Sequence, residues 1–119
     1  MTTYTIDENG EYTSGLTAVE AADMLLRNDS ADYEIRAGEA CGGTLTGLRF
    51  YELWTRKQVA NKTWTKTVIF AIAATEEAAE AEIADKVIGS GDWETDYLEC
   101  RTDEDHAAML AELAADEAR

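Results

Sequence analysis

The sequence predicts a single α+β domain, residues 1–119, with three helices packed on an antiparallel sheet of about four to five strands. Apolar residues alternate with a period of two over residues 45–55 and 63–73, as in paired strands. Three helical patterns elsewhere each follow a threonine that can cap a helix. No stretch resembles a linker, and 45% of the residues are hydrophobic, which is enough for one core. The predicted order is β(β)αβββαβα.

The chain is predicted to begin with a strand at residues 4–6, which the turn at residues 7–10 ends, because Asn-Gly favours positive φ. Residues 11–14 can return as a short second strand. Thr17 and Glu20 have the spacing of a capping box and start the first helix, which ends at residues 28–30. The apolar side of this helix is predicted to comprise Val19, Ala22, Leu25 and Leu26.

A strand is next predicted at residues 33–36, followed by a glycine-rich loop at residues 38–43 that lacks the pattern of a phosphate-binding loop. The strongest strand pair is residues 45–55 with residues 63–73, joined by a loop at residues 58–62 in which Asn61 suits the left-handed position. Strict alternation puts five residues of each strand on one of its faces. These sets are Leu48, Phe50, Glu52, Trp54 and Arg56, and Trp64, Lys66, Val68, Phe70 and Ile72.

Thr75 is predicted to cap a second helix that runs to about residue 88 and buries Ala79, Ile83 and Val87. A last strand is predicted at residues 97–101. Thr102 then caps a C-terminal helix, one side of which is lined by His106, Met109, Leu110 and Leu113.

Size and composition also suggest where the protein resides. No apolar run approaches the ~20 residues of a membrane span. The N-terminus has neither the basic segment nor the apolar core of a secretory signal, so we expect a cytoplasmic protein of a bacterial host that does not engage membranes. Because disulfides are rare in that compartment, Cys41 and Cys100 are predicted to be free thiols.

Charge is distributed unevenly along the chain, which has a net charge of −15. Residues 1–40 sum to −7, residues 41–75 to +4 and residues 76–119 to −12. A one-signed field governs which partners a protein attracts or repels. The distribution therefore favours a partner-binding role, although excess carboxylates are also typical of salt-adapted proteins.

Catalytic patterns are not apparent, and we expect a non-enzyme with no catalytic residue, cofactor or metal site. His106 is the sole histidine, so one chain cannot build a site from several histidines. Residues 103–105 could hold a cation together with His106, but successive helical residues point in different directions, which favours a dipole-stabilised first turn. Cys100 could reach His106, yet the adjacent Glu99 disfavours a thiolate.

One candidate binding surface is the predicted hairpin, where aromatic and basic residues interleave as in single-strand nucleic-acid binding. The same residues are also ordinary strand and edge residues, and the basic arm could pair with acidic helices of the same domain. Because the net charge repels phosphates, we expect no direct nucleic-acid binding. The hairpin candidates are Trp54, Arg56, Lys57, Lys62, Trp64 and Lys66.

The preferred candidate surface is an acidic stripe in the C-terminal third. A solvated helix face normally mixes lysine with glutamate, whereas these faces carry almost no lysine, and like charges at i and i+4 slightly weaken a helix. Carboxylates at such spacings can imitate the phosphates of a duplex. The predicted stripe comprises Glu76, Glu77, Glu80, Asp92, Glu94, Asp96, Glu99, Asp103, Glu104 and Asp105.

With its acidic stretches at residues 76–82 and 92–105, the chain resembles the small acidic inhibitors of phages and mobile elements, namely anti-CRISPR proteins and DNA-mimicking anti-restriction proteins. The resemblance concerns overall character and transfers no functional residue. It implies a non-catalytic inhibitor that blocks a nucleic-acid-binding surface of a CRISPR effector complex. The alternative is a protein interaction module, such as an antitoxin or adaptor, that binds through the hairpin. Under either interpretation the protein could be a monomer or a homodimer.

Overall fold

The computed structural model describes residues 1–30 and 32–118, with only the backbone of Thr67. Its order of elements confirms the predicted one, including the second strand. The elements are β1 (Tyr4–Glu8), β2 (Glu11–Leu16), α1 (Ala18–Asp29), β3 (Asp32–Ala40), a 3-10 turn (Gly43–Leu45), β4 (Arg49–Val59), β5 (Lys62–Ala73), α2 (Glu76–Ser90), β6 (Leu98–Thr102) and α3 (Asp103–Glu117). The α+β class is therefore confirmed.

The strands form two three-stranded antiparallel sheets, where the sequence predicted one sheet of four to five strands. Sheet A has the order β2-β1-β6, and sheet B has the order β3-β4-β5. The division arises because β1 pairs with the distant β6 on one edge, with Ile6 opposite Cys100. Its other edge is taken by β2, which leads directly into α1.

A layer formed by α1 and α2 connects the two sheets, because α1 contacts strands of both sheets while α2 packs on β5 and β4. The side chains that are almost fully excluded from solvent come from both sheets and both helices, so the domain has one core. The largest of them are Ile6, Leu25, Leu53, Ile83 and Val87.

The helix starts were predicted correctly. Thr17 Oγ1 accepts a hydrogen bond from the Glu20 amide at 3.2 Å, and the Glu20 carboxylate accepts one from the Thr17 amide at 3.1 Å, which completes the capping box. Thr75 and Thr102 cap α2 and α3 in the same way through their hydroxyl oxygens. The predicted apolar side of α1 needs one correction, because Val19 is 43% exposed.

In the β4–β5 hairpin the second strand lies where it was predicted, but the first strand lies later in the chain. Residues 43–45 form a 3-10 turn and residues 46–47 a further turn, so β4 begins at Arg49 rather than at residue 45 and continues to Val59. The connection between the two strands is therefore residues 60–61, which is shorter than the predicted loop at residues 58–62. Ala60, not Asn61, has the left-handed backbone conformation, with φ of 55°.

A β-bulge in this hairpin overturns the prediction that alternate β5 residues from Trp64 to Ile72 share one face. Leu53 lies opposite Ile69, but Trp54 lies opposite Thr67, so the register shifts between these pairs. Because side chains alternate between the two faces of a strand, one extra residue moves all side chains beyond it to the face opposite the predicted one. As a result, Trp64 lies on the same side of the sheet as Leu53, and Phe70 lies on the opposite side.

The C-terminal helix α3 is the least covered of the three helices. His106 is buried, whereas Leu110 and Leu113, which the sequence placed on the same side, are 42% and 51% exposed. The Cα radius of gyration is 17.2 Å, against about 13.5 Å for a compact chain of this length. The domain is therefore elongated and leaves parts of α3 and of the hairpin uncovered.

Candidate functional site

The ten carboxylates of the predicted acidic stripe do not form one continuous surface. Glu76, Glu77 and Glu80 lie in the first turns of α2, while residues 92–96 follow its end. The 15 residues of α2 separate these two groups by about 20 Å at 1.5 Å per residue. Residues 103–105 form the first turn of α3.

Asp103 serves the fold. Its carboxylate accepts hydrogen bonds from the Thr3 hydroxyl at 2.5 Å and the Thr5 hydroxyl at 2.6 Å. It also accepts a bond from the Gly15 amide at 3.1 Å. These bonds, the two from the threonine hydroxyls above all, lower the pKa of Asp103, because each stabilises the charged form. The carboxylate fastens the start of α3 to β1 and β2.

Glu99 is also engaged within the domain, through Arg101. The guanidinium donates to Glu99 at 2.8 Å and to Asp7 at 2.5 Å, and its Nε donates to Nδ1 of His106 at 3.2 Å. The His106 ring meets Tyr12 edge-on, with centroids 4.4 Å apart. This network anchors the first turns of α3 on sheet A.

The other eight carboxylates form no side-chain hydrogen bond or ion pair with any residue in the described part of the chain. They are therefore available to an external cation. These residues are Glu76, Glu77, Glu80, Asp92, Glu94, Asp96, Glu104 and Asp105.

The two ends of the loop at residues 92–96 have neighbours of different charge. Asp92 lines a groove of about 630 Å³ together with Lys66 and Lys86, which offset its charge. Asp96 lines a separate depression of about 230 Å³ whose other acidic members are Asp7 and Glu99. No sequence pattern indicates that Asp7 lies at this surface, because only the pairing of β1 with β6 brings it there.

The two tryptophans of the hairpin face opposite sides of sheet B, so they do not form the single aromatic surface that was predicted. Trp54 is half-buried, donates from Nε1 to Glu52 at 2.8 Å, and stacks with Arg36 at 4.3 Å from its ring. Trp64 lies opposite Lys57 and is 60% exposed. Trp54 is thus held by its own sheet, and Trp64 is open to contact.

The hairpin cations also divide into two kinds. Arg56 pairs with Asp32 at 3.7 Å, and Lys57 pairs with Asp29 at 3.4 Å. Both pairs are exposed and contribute little to stability. Lys62 and Lys66 make no ion pair with a described residue.

The two thiols lie in different sheets or their loops and are free. Burial raises the pKa of Cys100 to about 11, and the charge of Glu94 adds to the shift. Such a thiol is almost entirely protonated near neutral pH and is a poor nucleophile.

The pKa of the Tyr33 phenol is also shifted, although no sequence pattern pointed to this residue. Burial raises the pKa of Tyr33 to about 12, and its hydroxyl donates to the Asp23 carboxylate, with Glu80 nearby. The adjoining apolar cavity has a volume of about 70 Å³, which is small for a ligand site. We interpret the Tyr33–Asp23 contact as a link between β3 and α1.

No helix in the described ranges is both long and apolar enough to span a membrane. Within the same residues, no group of three or more His, Cys, Asp and Glu side chains is placed to hold a metal ion. The chain matches no protein-family model, no curated protein and no solved structure.

Proposed function

We propose that this protein is a non-catalytic inhibitor that binds a basic, nucleic-acid-binding surface of a partner protein. The observation that supports it is the set of eight carboxylates that form no side-chain hydrogen bond or ion pair with a described residue, in a chain of net charge −15. Such a field attracts basic surfaces and speeds their encounter. A CRISPR effector complex is the partner class that we propose first, since its nucleic-acid channel is basic.

Within this set, Glu94 and Asp96 are the carboxylates we assign to partner contact. They lie two residues apart in a short loop. Asp96 lines a depression with Asp7 and Glu99, so an approaching cation meets several negative charges there, while Glu94 lies near Cys100. Asp92 is a weaker candidate because Lys66 and Lys86 line the same groove. Asp103 is excluded from the contact set, because its charge already holds α3 in place.

The test is competition with DNA for purified CRISPR effector complexes, measured by fluorescence anisotropy of a labelled target duplex. The wild-type protein should displace the duplex, and the double reversal Glu94→Lys/Asp96→Lys should raise the concentration required by tenfold or more. A tenfold effect corresponds to about 1.4 kcal/mol, a reasonable loss for two rim charges.

The matched control is Glu39→Lys/Asp85→Lys. It reverses two exposed carboxylates outside the predicted stripe, and each reversal adds two charge units, so both variants carry −11 instead of −15. Equal weakening by both variants would mean that net charge alone drives binding. No displacement from any complex would overturn the proposed partner class, and a DNA-binding restriction enzyme would then be tested in the same assay.

A further inference from the structure

The second half of α3, residues 109–117, carries exposed apolar side chains. Leu110 and Leu113 are 42% and 51% exposed, and Met109 beside them is half-buried. Asp105 and Glu112 are seven residues apart and therefore share one edge of the helix, next to Met109. The helix thus presents an apolar strip with an acidic border.

A second uncovered surface lies on the outer part of the β4–β5 hairpin. Because of the bulge, Val59, Lys62 and Trp64 lie on one side of the sheet together with Lys57 and Lys66. Trp64 is 60% exposed and Val59 is 53% exposed. We call these five residues the basic hairpin face.

These two surfaces are complementary in both polarity and charge. Each combines exposed apolar side chains with charged ones, acidic on α3 and basic on the hairpin. Lys57 pairs with Asp29 and Lys66 shares a groove with Asp92, whereas Lys62 makes no ion pair with a described residue. The segments that carry them, residues 76–119 and 41–75, sum to −12 and +4. Neither surface meets the other within one copy, since α3 begins at sheet A and no ion pair joins Glu112 to a described lysine.

We propose that residues 109–117 of α3 bind the basic hairpin face of a second copy of this chain. In a dimer with two-fold symmetry the contact occurs twice, once with each copy supplying the helix. Leu110 and Leu113 then pack against Trp64 and Val59, and Glu112 approaches the hairpin lysines. Association would account for a monomer that is longer, at 17.2 Å radius of gyration, than a compact chain requires.

The net charge of −15 opposes association at long range. At 0.15 M salt the screening length is about 8 Å, so distant like charges are largely screened while contacting opposite charges still attract. The dimer should therefore be measured at that ionic strength. This inference does not depend on the proposed inhibitory function.

The experiment is sedimentation equilibrium of the full chain and of two variants over a range of concentrations. The helix variant is Leu110→Ala/Leu113→Ala, which retains helical propensity. The hairpin variant is Trp64→Thr/Lys66→Glu, in which threonine suits a strand. The wild type should form dimers, each variant alone should raise the dissociation constant at least tenfold, and an equimolar mixture of the two should recover heterodimers through one intact contact.

The matched control is Phe70→Thr, on the same strand as Trp64 but on the opposite face, with a similar exposure of 56%. It should leave association unchanged. Glu112→Lys provides a second helix variant at an exposed position, and far-ultraviolet circular dichroism checks that every variant folds. A monomeric wild type, association that survives both variants, or a mixture that does not recover would each overturn the proposal.

Glu94→Lys/Asp96→Lys should leave the dimer intact, which separates this result from that of the proposed function.

Discussion

At the scale of single residues, the main result is that carboxylates of similar sequence context have different roles. Asp103 and Asp105 are two positions apart at the start of α3, yet Asp103 accepts hydrogen bonds from β1 and β2, while the side chain of Asp105 has no described partner. The difference depends on Thr3 and Thr5, about 100 residues away. Local sequence cannot separate a structural carboxylate from an available one.

Replacing Asp103 by asparagine should therefore lower stability and flatten its dependence on acid pH. The folded-state pKa of Asp103 is lowered by its hydrogen bonds, so its contribution is complete above the ordinary pKa of an aspartate. That contribution is lost as the pH falls through the lower, folded-state pKa. Urea unfolding between pH 2 and pH 7 should show a smaller acid-side loss for Asp103→Asn than for the wild type.

Asp105→Asn is the control for this measurement. It removes a carboxylate from the same helical turn, but one whose side chain has no described partner, so it controls for the loss of one negative charge at this end of α3. Identical profiles for Asp103→Asn and the wild type would show that the three hydrogen bonds to Asp103 do not favour its ionised form in the folded state.

At the scale of elements, the features set by nearby residues were predicted and those set by distant pairing were not. The capping threonines Thr17, Thr75 and Thr102 act within three residues, and all three were recognised. The bulge between Leu53 and Trp54 is invisible in an alternating pattern, because both strands alternate on either side of it. The division into two sheets likewise depends on β1 pairing with β6, far along the chain.

The candidate surfaces follow the same rule. The sequence placed the acidic and basic segments correctly along the chain, because charge is a property of composition. It wrongly joined Trp54 and Trp64 in one surface, since the bulge puts them on opposite faces. It also missed Asp7, which only strand pairing brings to Asp96.

The bulge has a consequence for stability that can be measured. Leu53 is fully buried, whereas Phe70 is 56% exposed on the other face of the same sheet. Leu53→Ala should cost about 2–5 kcal/mol, because it leaves a cavity in the core. Phe70→Ala should cost less than about 1 kcal/mol, as expected for a surface position. Urea unfolding gives the loss of unfolding free energy for each variant. Similar losses would contradict the assignment of Leu53 and Phe70 to opposite faces of the sheet.

The exposure of α3 predicts an uneven pattern of amide hydrogen exchange. Below the concentration at which copies associate, residues 109–117 should exchange faster than residues 18–29 of α1, whose inner side is buried. The first turn of α3, held by His106 and Asp103, should be intermediate. Exchange measured by mass spectrometry at two concentrations also bears on the dimer, because protection of residues 109–117 should rise with concentration.

At the scale of the whole molecule, charge and shape both depart from an ordinary small domain. The described chain contains seven ion pairs, of which only the Arg101–Asp7 pair has both side chains mostly shielded from solvent. Most of the 25 acidic side chains therefore repel one another across the surface. Such repulsion is carried by every exposed carboxylate and is weakened by salt.

The free energy of unfolding should therefore rise with salt while the protein stays folded in dilute buffer. Urea midpoints measured at about 0.02 M and about 0.5 M sodium chloride, where the screening length falls from roughly 20 Å to roughly 4 Å, test this expectation. Urea is used because guanidinium would itself screen the charges. The variant Glu39→Lys/Asp85→Lys, with a net charge of −11, should show a smaller rise, since it has less repulsion to relieve. A midpoint that falls with salt would mean that the exposed ion pairs outweigh the repulsion, and a chain unfolded in dilute buffer would instead favour salt adaptation as the origin of the acidity.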